Sequence, residues 1–194
     1  MSIVGDGFRF TMRSPETRAV VFQGDLVQQQ CAAQTKSKTR CLRHTSVGKF
    51  CFQHRALHTK LAVRKSGIEG AGNGLFVDSK EHGPNEIVFR KGDRLLYYHG
   101  EEITLAEVEQ RYRDYTAPYG LQTGRDTAID AALERSLASQ ANSHRRLRDC
   151  NARLSVNRDK EGLLMATKNL RNGGEVLVWY GSDYAFDSNH KTTY

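Results

Sequence analysis

Three cysteines and a histidine stand at regular intervals, Cys31, Cys41, Cys51 and His54, separated by nine, nine and two residues. Cys31-Ala-Ala-Gln-Thr35 is echoed ten residues on by Cys41-Leu-Arg-His-Thr45. Three thiolates and one imidazole complete the closed tetrahedral shell of a structural zinc, and a Cys-x-x-His pair fits two ligands on one tight turn. The intervening segments are polar and too short for a hydrophobic core, so metal would have to organise them. His44 and His58 compete with His54 for the fourth position, and buried or free thiols are the metal-free alternative.

A second feature lies in Gly173-Gly-Glu-Val-Leu-Val-Trp-Tyr-Gly181. Val176 to Trp179 reads as a short buried strand stopped by Gly181, so Tyr180 sits where a phenol can be packed while its hydroxyl faces a cavity. A third is Gly70-Ala-Gly72-Asn-Gly74. A dinucleotide fingerprint needs a helix after the glycines. Here Leu75-Phe76-Val77 follows and reads as a strand, so the turn is either a plain hairpin or bare backbone laid against a ligand.

The elements that position these residues are mostly strands. Leu61–Val63, Leu75–Val77, Ile87–Phe89, Leu95–Tyr98, Leu154–Val156, Leu163–Ala166 and Val176–Trp179 read as short β runs. Thr104-Leu-Ala-Glu107 is a capping box that opens a helix to about Tyr115. Leu133, Leu137 and Ala141 suggest a second helix from near Asp130, and Ser14-Pro15-Glu16 suggests another, reaching about Gln30. Many short strands with few helices indicate a mainly β (α+β) fold, not a doubly wound sheet.

The net charge of +7 is uneven. Residues 1–65 hold 12 Lys and Arg against 3 Asp and Glu, while residues 66–194 hold 17 against 19. A concentrated basic segment suits a polyanion such as nucleic acid, or simply a solvated face. No apolar run approaches the roughly 18 residues of a membrane span, and the N-terminus does not read as a signal peptide, so an intracellular protein is expected.

Four ordered blocks resemble the SET-domain lysine methyltransferase family. Val176-Leu-Val-Trp-Tyr-Gly181 with Tyr184 after it is most similar to the PR branch. Gly70-Ala-Gly-Asn-Gly-Leu-Phe-Val77 resembles the N-terminal motif. Lys91-Gly-Asp93 and His99-Gly-Glu-Glu-Ile-Thr104 resemble the middle strands. Ile129-Asp-Ala131, Ala141-Asn-Ser-His144 and Cys150-Asn-Ala152 resemble the segments that thread under the Tyr-bearing strand as a pseudoknot. Two departures stand out: Asn-Ser-His replaces Asn-His-Ser, and Cys150 stands where proline is usual.

The resemblance implies a SET-type fold with a pseudoknot and S-adenosylmethionine as cofactor. It makes Tyr180 the active-site tyrosine and places Tyr119 in the lysine channel, with Tyr98 and Tyr184 as further candidates. Gly72, Asn73, Gly74, Asn142, Ser143 and Tyr180 would hold the cofactor, with Phe186 or Tyr194 closing over it. Val178 falls where an aromatic limits the number of methyl groups added. The expected organisation is an N-terminal extension with a helix (1–30), a basic Cys3His zinc-binding module (31–58), a SET domain (61–186) and a tail (187–194). The function so implied is protein-lysine methylation, with a histone or another basic protein as substrate, nuclear location and nucleic-acid or chromatin contact through residues 36–65. The alternative is a non-catalytic PR-like module whose zinc segment binds nucleic acid or a protein.

Overall fold

The computed structural model describes residues 9–14 and 16–180. The chain runs β1 (Arg9–Arg13), β2 (Val20–Asp25), β3 (Gln29–Gln30), β4 (His44–Thr45), α1 (Phe52–Thr59), β5 (Leu61–Lys65), β6 (Asn73–Val77), β7 (Ile87–Phe89), β8 (Arg94–Tyr98) and β9 (Glu101–Thr104). There follow α2 (Leu105–Tyr112), β10 (Gly120–Gln122), β11 (Thr127–Asp130), β12 (Asn142–Ser143), β13 (Ala152–Val156), β14 (Gly162–Ala166), β15 (Leu170–Arg171) and β16 (Glu175–Val178). This is the mainly β, SET-type architecture expected from the sequence, and every strand read from hydrophobic runs forms within a residue or two of its expected bounds.

The sheets are small and mostly antiparallel. The one that matters most has the order β12-β16-β6-β5, and β13-β14-β8 and β10-β11-β9 flank it. In the first, β16 lies between an antiparallel neighbour, β6, and a parallel one, β12. Leu61, Leu75, Val77, Leu164, Val176 and Val178 from these sheets are at most 1% exposed and form the centre of the main core. Burying each such side chain is worth about 1.5–3 kcal/mol, which fixes which face of every strand turns inward. The loop 142–151 closes around β16 in the expected pseudoknot. At one end Asn142 and Ser143 pair with Leu177 and Val178; at the other the Asn151 N–H donates to the Leu177 carbonyl at 3.0 Å.

The Thr104 capping box is present in α2. The Glu107 N–H donates to Thr104 Oγ1 at 3.1 Å, and the Thr104 N–H donates to Glu107 Oε2 at 2.7 Å. The helix is shorter than expected and ends at Tyr112, with Arg113 at a φ of 55°.

Two expected helices are not formed. Residues 14–30 make no helix; β1 and β2 pair as an antiparallel hairpin there. Ser14 does accept from the Thr17 N–H, but it closes a turn in which Arg18 is left-handed, and the β-branched Val20 and Val21 favour the strand that follows. Gly24, a poor helix residue, is required by close packing: a Cβ there would lie 2.7 Å from the Leu133 side chain. The second expected helix, from Asp130, is replaced by bends, an isolated bridge at Arg135 and a single 3-10 turn at Ala138–Gln140. Asp130 ends β11, and its carboxylate accepts from Arg111, the Tyr112 hydroxyl and the Ala132 N–H at 2.7–2.9 Å. Leu133 packs with Phe10 and Tyr112, whereas Leu137 and Ala141 enter the main core, so their spacing serves two clusters and not one helix face.

The N-terminal units are joined to the sheets. Val27 donates its N–H to the Leu133 carbonyl at 3.0 Å, Val47 bridges Arg135 in parallel, and α1 passes through a left-handed Lys60 directly into β5.

Candidate active site and metal centre

Cys31, Cys41 and Cys51 are buried within one small cluster, and their sulfurs lie with a ring nitrogen of His54 all within 4.8 Å of one another. His54 Nδ1 is 3.6 Å from Cys31 Sγ and 3.4 Å from Cys51 Sγ. A tetrahedral shell with bonds of about 2.0–2.3 Å has edges of about 3.5 Å, so the spacing fits a metal ion of zinc's size. Cys51 and His54 are brought together by the first turn of α1, a helix where the spacing alone suggests only a tight turn. His58 is otherwise engaged, stacked on Phe50 at 4.3 Å, and His44 is exposed in β4. Burial pushes the Cys31 thiol up, but the N–H groups of Cys51 and Ala33 and the His54 ring outweigh it and bring it down to about 6. Cys41 is lowered by the Arg43 N–H, but burial and the two neighbouring sulfurs raise it above its ordinary value. Crowded sulfurs of this kind are the donor set that a divalent cation relieves.

The glycine turn and the threaded loop meet at Glu175. Its carboxylate accepts from the Ser66 hydroxyl at 2.6 Å, the Gly67 N–H at 3.1 Å and the Asn142 side-chain amide at 3.3 Å. Asn142 also donates to the Asn73 carbonyl at 3.0 Å. Gly74 must lack a side chain, since a Cβ would collide with Glu175 and lie 2.9 Å from Asn142 Nδ2. Gly72 has a φ of +69°, and a Cβ there would meet nothing within 4 Å, so its backbone faces open space. Asn151 serves as a side-chain rung on β16, donating to the Glu175 carbonyl at 2.8 Å and accepting from the Leu177 N–H at 2.9 Å.

Tyr180 is joined to the same assembly. Its N–H donates to Ser143 Oγ at 3.3 Å and its hydroxyl donates to the Ala141 carbonyl at 2.7 Å. The exchanged order of Ser143 and His144 thus puts a buried hydroxyl under Tyr180. His144 turns into the 144–149 loop, where its ring accepts from the Arg146 N–H at 3.2 Å and lies 3.5 Å from Asp149. Beside Tyr180 is a cleft of about 410 Å³ walled by Tyr98, Leu121, Ala141, Leu154 and Trp179. Burial first, then the neighbouring Tyr180 and Tyr119, hold the Tyr98 phenol well above its ordinary pKa, and its hydroxyl donates to the Tyr119 carbonyl at 2.8 Å.

Of the six residues expected at the cofactor face, Asn73 and Asn142 share the hydrogen bonds around Glu175, Gly72 reaches it through Ser66, Gly74 packs against it, and Ser143 bonds to Tyr180. Tyr119 lies beside Tyr98. Its ring packs edge-on to Phe10 at 5.8 Å, beneath the Arg135 guanidinium at 4.8 Å, and it is Tyr98 that lines the cleft. Val178 is fully buried in the main core. Tyr184, Phe186 and Tyr194 lie outside the described residues. Glu175, which joins the turn to the threaded loop, is not singled out by the motifs; the available signal is a carboxylate opening an otherwise apolar strand.

No family profile matches the chain, and no curated protein does. Among solved structures, it is similar to the Polycomb Repressive Complex 2 of Chaetomium thermophilum in an autoinhibited conformation bound to S-adenosylmethionine, with a TM-score of 0.50 and 22% identity over 63% of this chain and 15% of that one. An apo form of that complex carrying mutations gives a TM-score of 0.52 and 22% identity over 65% and 15%. The crystal structure of the same complex gives 0.50 and 22% over 63% and 15%. The likeness is one of fold, and this chain spans about 15% of the length of those chains.

Proposed function

We propose that the chain is an S-adenosylmethionine-dependent protein-lysine N-methyltransferase acting on a histone or another basic protein. The observation that carries this reading is the single assembly in which Glu175 and Ser143 join the Gly72–Gly74 turn, Asn142 and Tyr180 beside an apolar cleft. The open backbone at Gly72 and the amide of Asn142 would hold the cofactor, which supplies a methyl group on a sulfonium sulfur. The substrate amine would enter between Tyr98 and Tyr180. In the transfer the amine lone pair forms the N–C bond as the C–S bond breaks, so the chain's tasks are alignment and supply of a neutral amine.

The cleft suits those tasks. Desolvation by Leu121, Leu154 and Trp179 disfavours an ammonium ion, and a neutral phenol can orient an amine without adding charge. On the other side of Tyr98 a hollow of about 550 Å³ carries Glu102, Glu107, Asp159 and Glu161, a complement to a basic peptide. In the proposed organisation, residues 31–58 form a zinc-bound basic module and residues 61–186 the methyltransferase domain, with Cys31, Cys41, Cys51 and His54 as the structural ligands. A histone substrate would place the protein in the nucleus.

Calorimetric titration with S-adenosylmethionine, followed by transfer of a radiolabelled methyl group to mixed histones, tests the reading. Saturable binding with lysine labelling is the expected result. No binding at about millimolar cofactor, where even a weak site of roughly −4 kcal/mol would fill, leaves a non-catalytic module as the surviving reading.

A further inference from the structure

We propose that the metal-organised module carries a binding site for single-stranded nucleic acid centred on Phe52 and Arg43. Phe52 is 71% exposed, an unusual state for its side chain, and Leu42, beside Arg43 in sequence, is 83% exposed. The Arg43 guanidinium lies over the Phe52 ring at 5.4 Å and is fixed there because its Nε donates to Gln53 Oε1 at 3.0 Å. A flat aromatic face and a planar cation are thus held together at the surface before any ligand arrives.

The surroundings select the partner by charge. From Leu26 to Ile68 the chain has nine Lys and Arg and no Asp or Glu. Lys36, Lys38, Arg40, Arg43 and Lys49 make no ion pair with a carboxylate among the described residues. The three cysteines tie the loops that carry these cations to one centre. Lys36 and Lys38 stand at the tip of a hairpin closed by the Thr35 N–H donating to the Thr39 carbonyl at 2.8 Å, and the Lys49 carbonyl accepts from the Ala32 N–H at 2.9 Å. A strand of unpaired nucleotides offers both groups that this surface would use, a base face for the ring and phosphates for the cations. In a duplex the base faces are covered by their neighbours, and an acidic peptide leaves the ring unused.

The proposal is independent of methyl transfer and is tested on the full, zinc-loaded chain by fluorescence anisotropy with labelled oligonucleotides of about 20 residues, long enough for one stacking site and its phosphates. The probes are single-stranded RNA and DNA, the matching duplex, and polyglutamate. The single strands should bind more tightly than the other two. Phe52→Ala should weaken binding roughly ten- to a hundredfold with metal content unchanged, while Phe52→Trp should retain it. Changing Lys36 and Lys38 together to alanine should flatten the salt dependence by about 0.7 for each phosphate that is no longer neutralised. Full affinity in Phe52→Ala, equal or tighter binding of duplex or polyglutamate, or no binding of single strands at low salt overturns it. Tyr180→Phe should bind the probes like the parent chain, which keeps this outcome separate from that of the methyltransferase reading.

Discussion

The backbone N–H of Gly48 donates to the carbonyl of Arg135 at 2.8 Å. Gly48 is left-handed, at a φ of +65°, and a Cβ there would touch Leu137 at 3.4 Å. Its loop is held at its two ends by Cys41 and Cys51, and Arg55 of α1 donates to the Val47 carbonyl at 3.1 Å. The Cys/His cluster thereby supports residues 135–137, just ahead of the segment that supplies Ala141, Asn142 and Ser143.

Metal removal should therefore be felt at the cofactor face. Cys51→Ser or chelation is expected to release one zinc ion per chain by elemental analysis and to lower the thermal midpoint, at about 2–4 °C per kcal/mol of destabilisation. Affinity for S-adenosylmethionine should fall with it. A variant without metal but with an unchanged midpoint and cofactor affinity would separate the module from the core.

Tyr180→Phe removes one hydroxyl and leaves the ring to pack. Methyl transfer should drop about a hundredfold, the scale seen when a placed hydrogen-bond donor is removed, while the lost bond to the Ala141 carbonyl should cost only about 0.5–1.5 kcal/mol of stability. Equal turnover in the variant would remove the assigned role of the hydroxyl.

Gly74→Ala and Gly72→Ala should fail for different reasons. At Gly74 the added methyl meets Glu175 and Asn142, so the assembly must open, at a cost of about 1–3 kcal/mol, and cofactor binding should be abolished. At Gly72 there is room, and the cost is the left-handed backbone alone, about 1–2 kcal/mol. Urea unfolding measures the two costs and calorimetry the cofactor affinity. Intact binding in Gly74→Ala would contradict the packing argument.

Asp130 is 1% exposed and anchors Arg111 and Tyr112. Burial, and then its bond to Asp130, raise the Tyr112 phenol far above its ordinary pKa and keep it a donor. Asp130→Ala leaves the Tyr112 hydroxyl and the Ala132 N–H without their acceptor, while Arg111 keeps its two bonds to Glu101, and should cost about 1–3 kcal/mol in urea unfolding. A loss below about 1 kcal/mol, the scale of an exposed pair, would mean that water replaces the carboxylate.

Asp78 gives a pH signature. Burial raises its pKa, but the ion pair with Arg64 at 2.7 Å, aided by Lys80, outweighs burial and leaves the folded value below the ordinary 3.8. The unfolded chain then takes up the proton more readily. The stabilisation is fully present above 3.8 and is lost as pH falls through the lower folded value. Asp78→Asn should cost roughly 0.5–1 kcal/mol near neutrality, and the difference from the parent chain should vanish in strong acid. A gap that persists there would assign the effect to packing.

The strands are legible in the sequence because each is a short apolar run whose inward face is fixed by burial, as at Leu75–Val77 and Leu163–Ala166. The clustering of Cys31, Cys41, Cys51 and His54 is legible from their spacing, and the meeting of the glycine turn with Asn142 from motif order. The two helices that do not form share one cause. Ser14 and Asp130 are cap-type residues, but Ser14 closes a hairpin turn and Asp130 is taken by Arg111 and Tyr112, partners that sequence spacing does not reveal. Tyr119 packs against Phe10 and Arg135, neighbours from the hairpin and the braced segment that its place in the sequence does not reveal. Glu175 is hidden in the sequence because its partners Ser66 and Gly67 are more than a hundred residues away.

The position of β16 between β6 and β12 also sets a timetable. Both neighbours are synthesised first and must keep a slot open until residues 175–180 emerge from the ribosome. The Ser66 to Glu175 contact then closes over 109 residues, one of the slow, long-range pairings of the chain. Until it forms, Asn142 lacks its carboxylate, Ser143 lacks Tyr180, and the glycine turn lacks its tie to Glu175. The assembly proposed to bind the cofactor is thus a late product of folding, and a nascent chain carries its three clustered cysteines long before it carries that assembly.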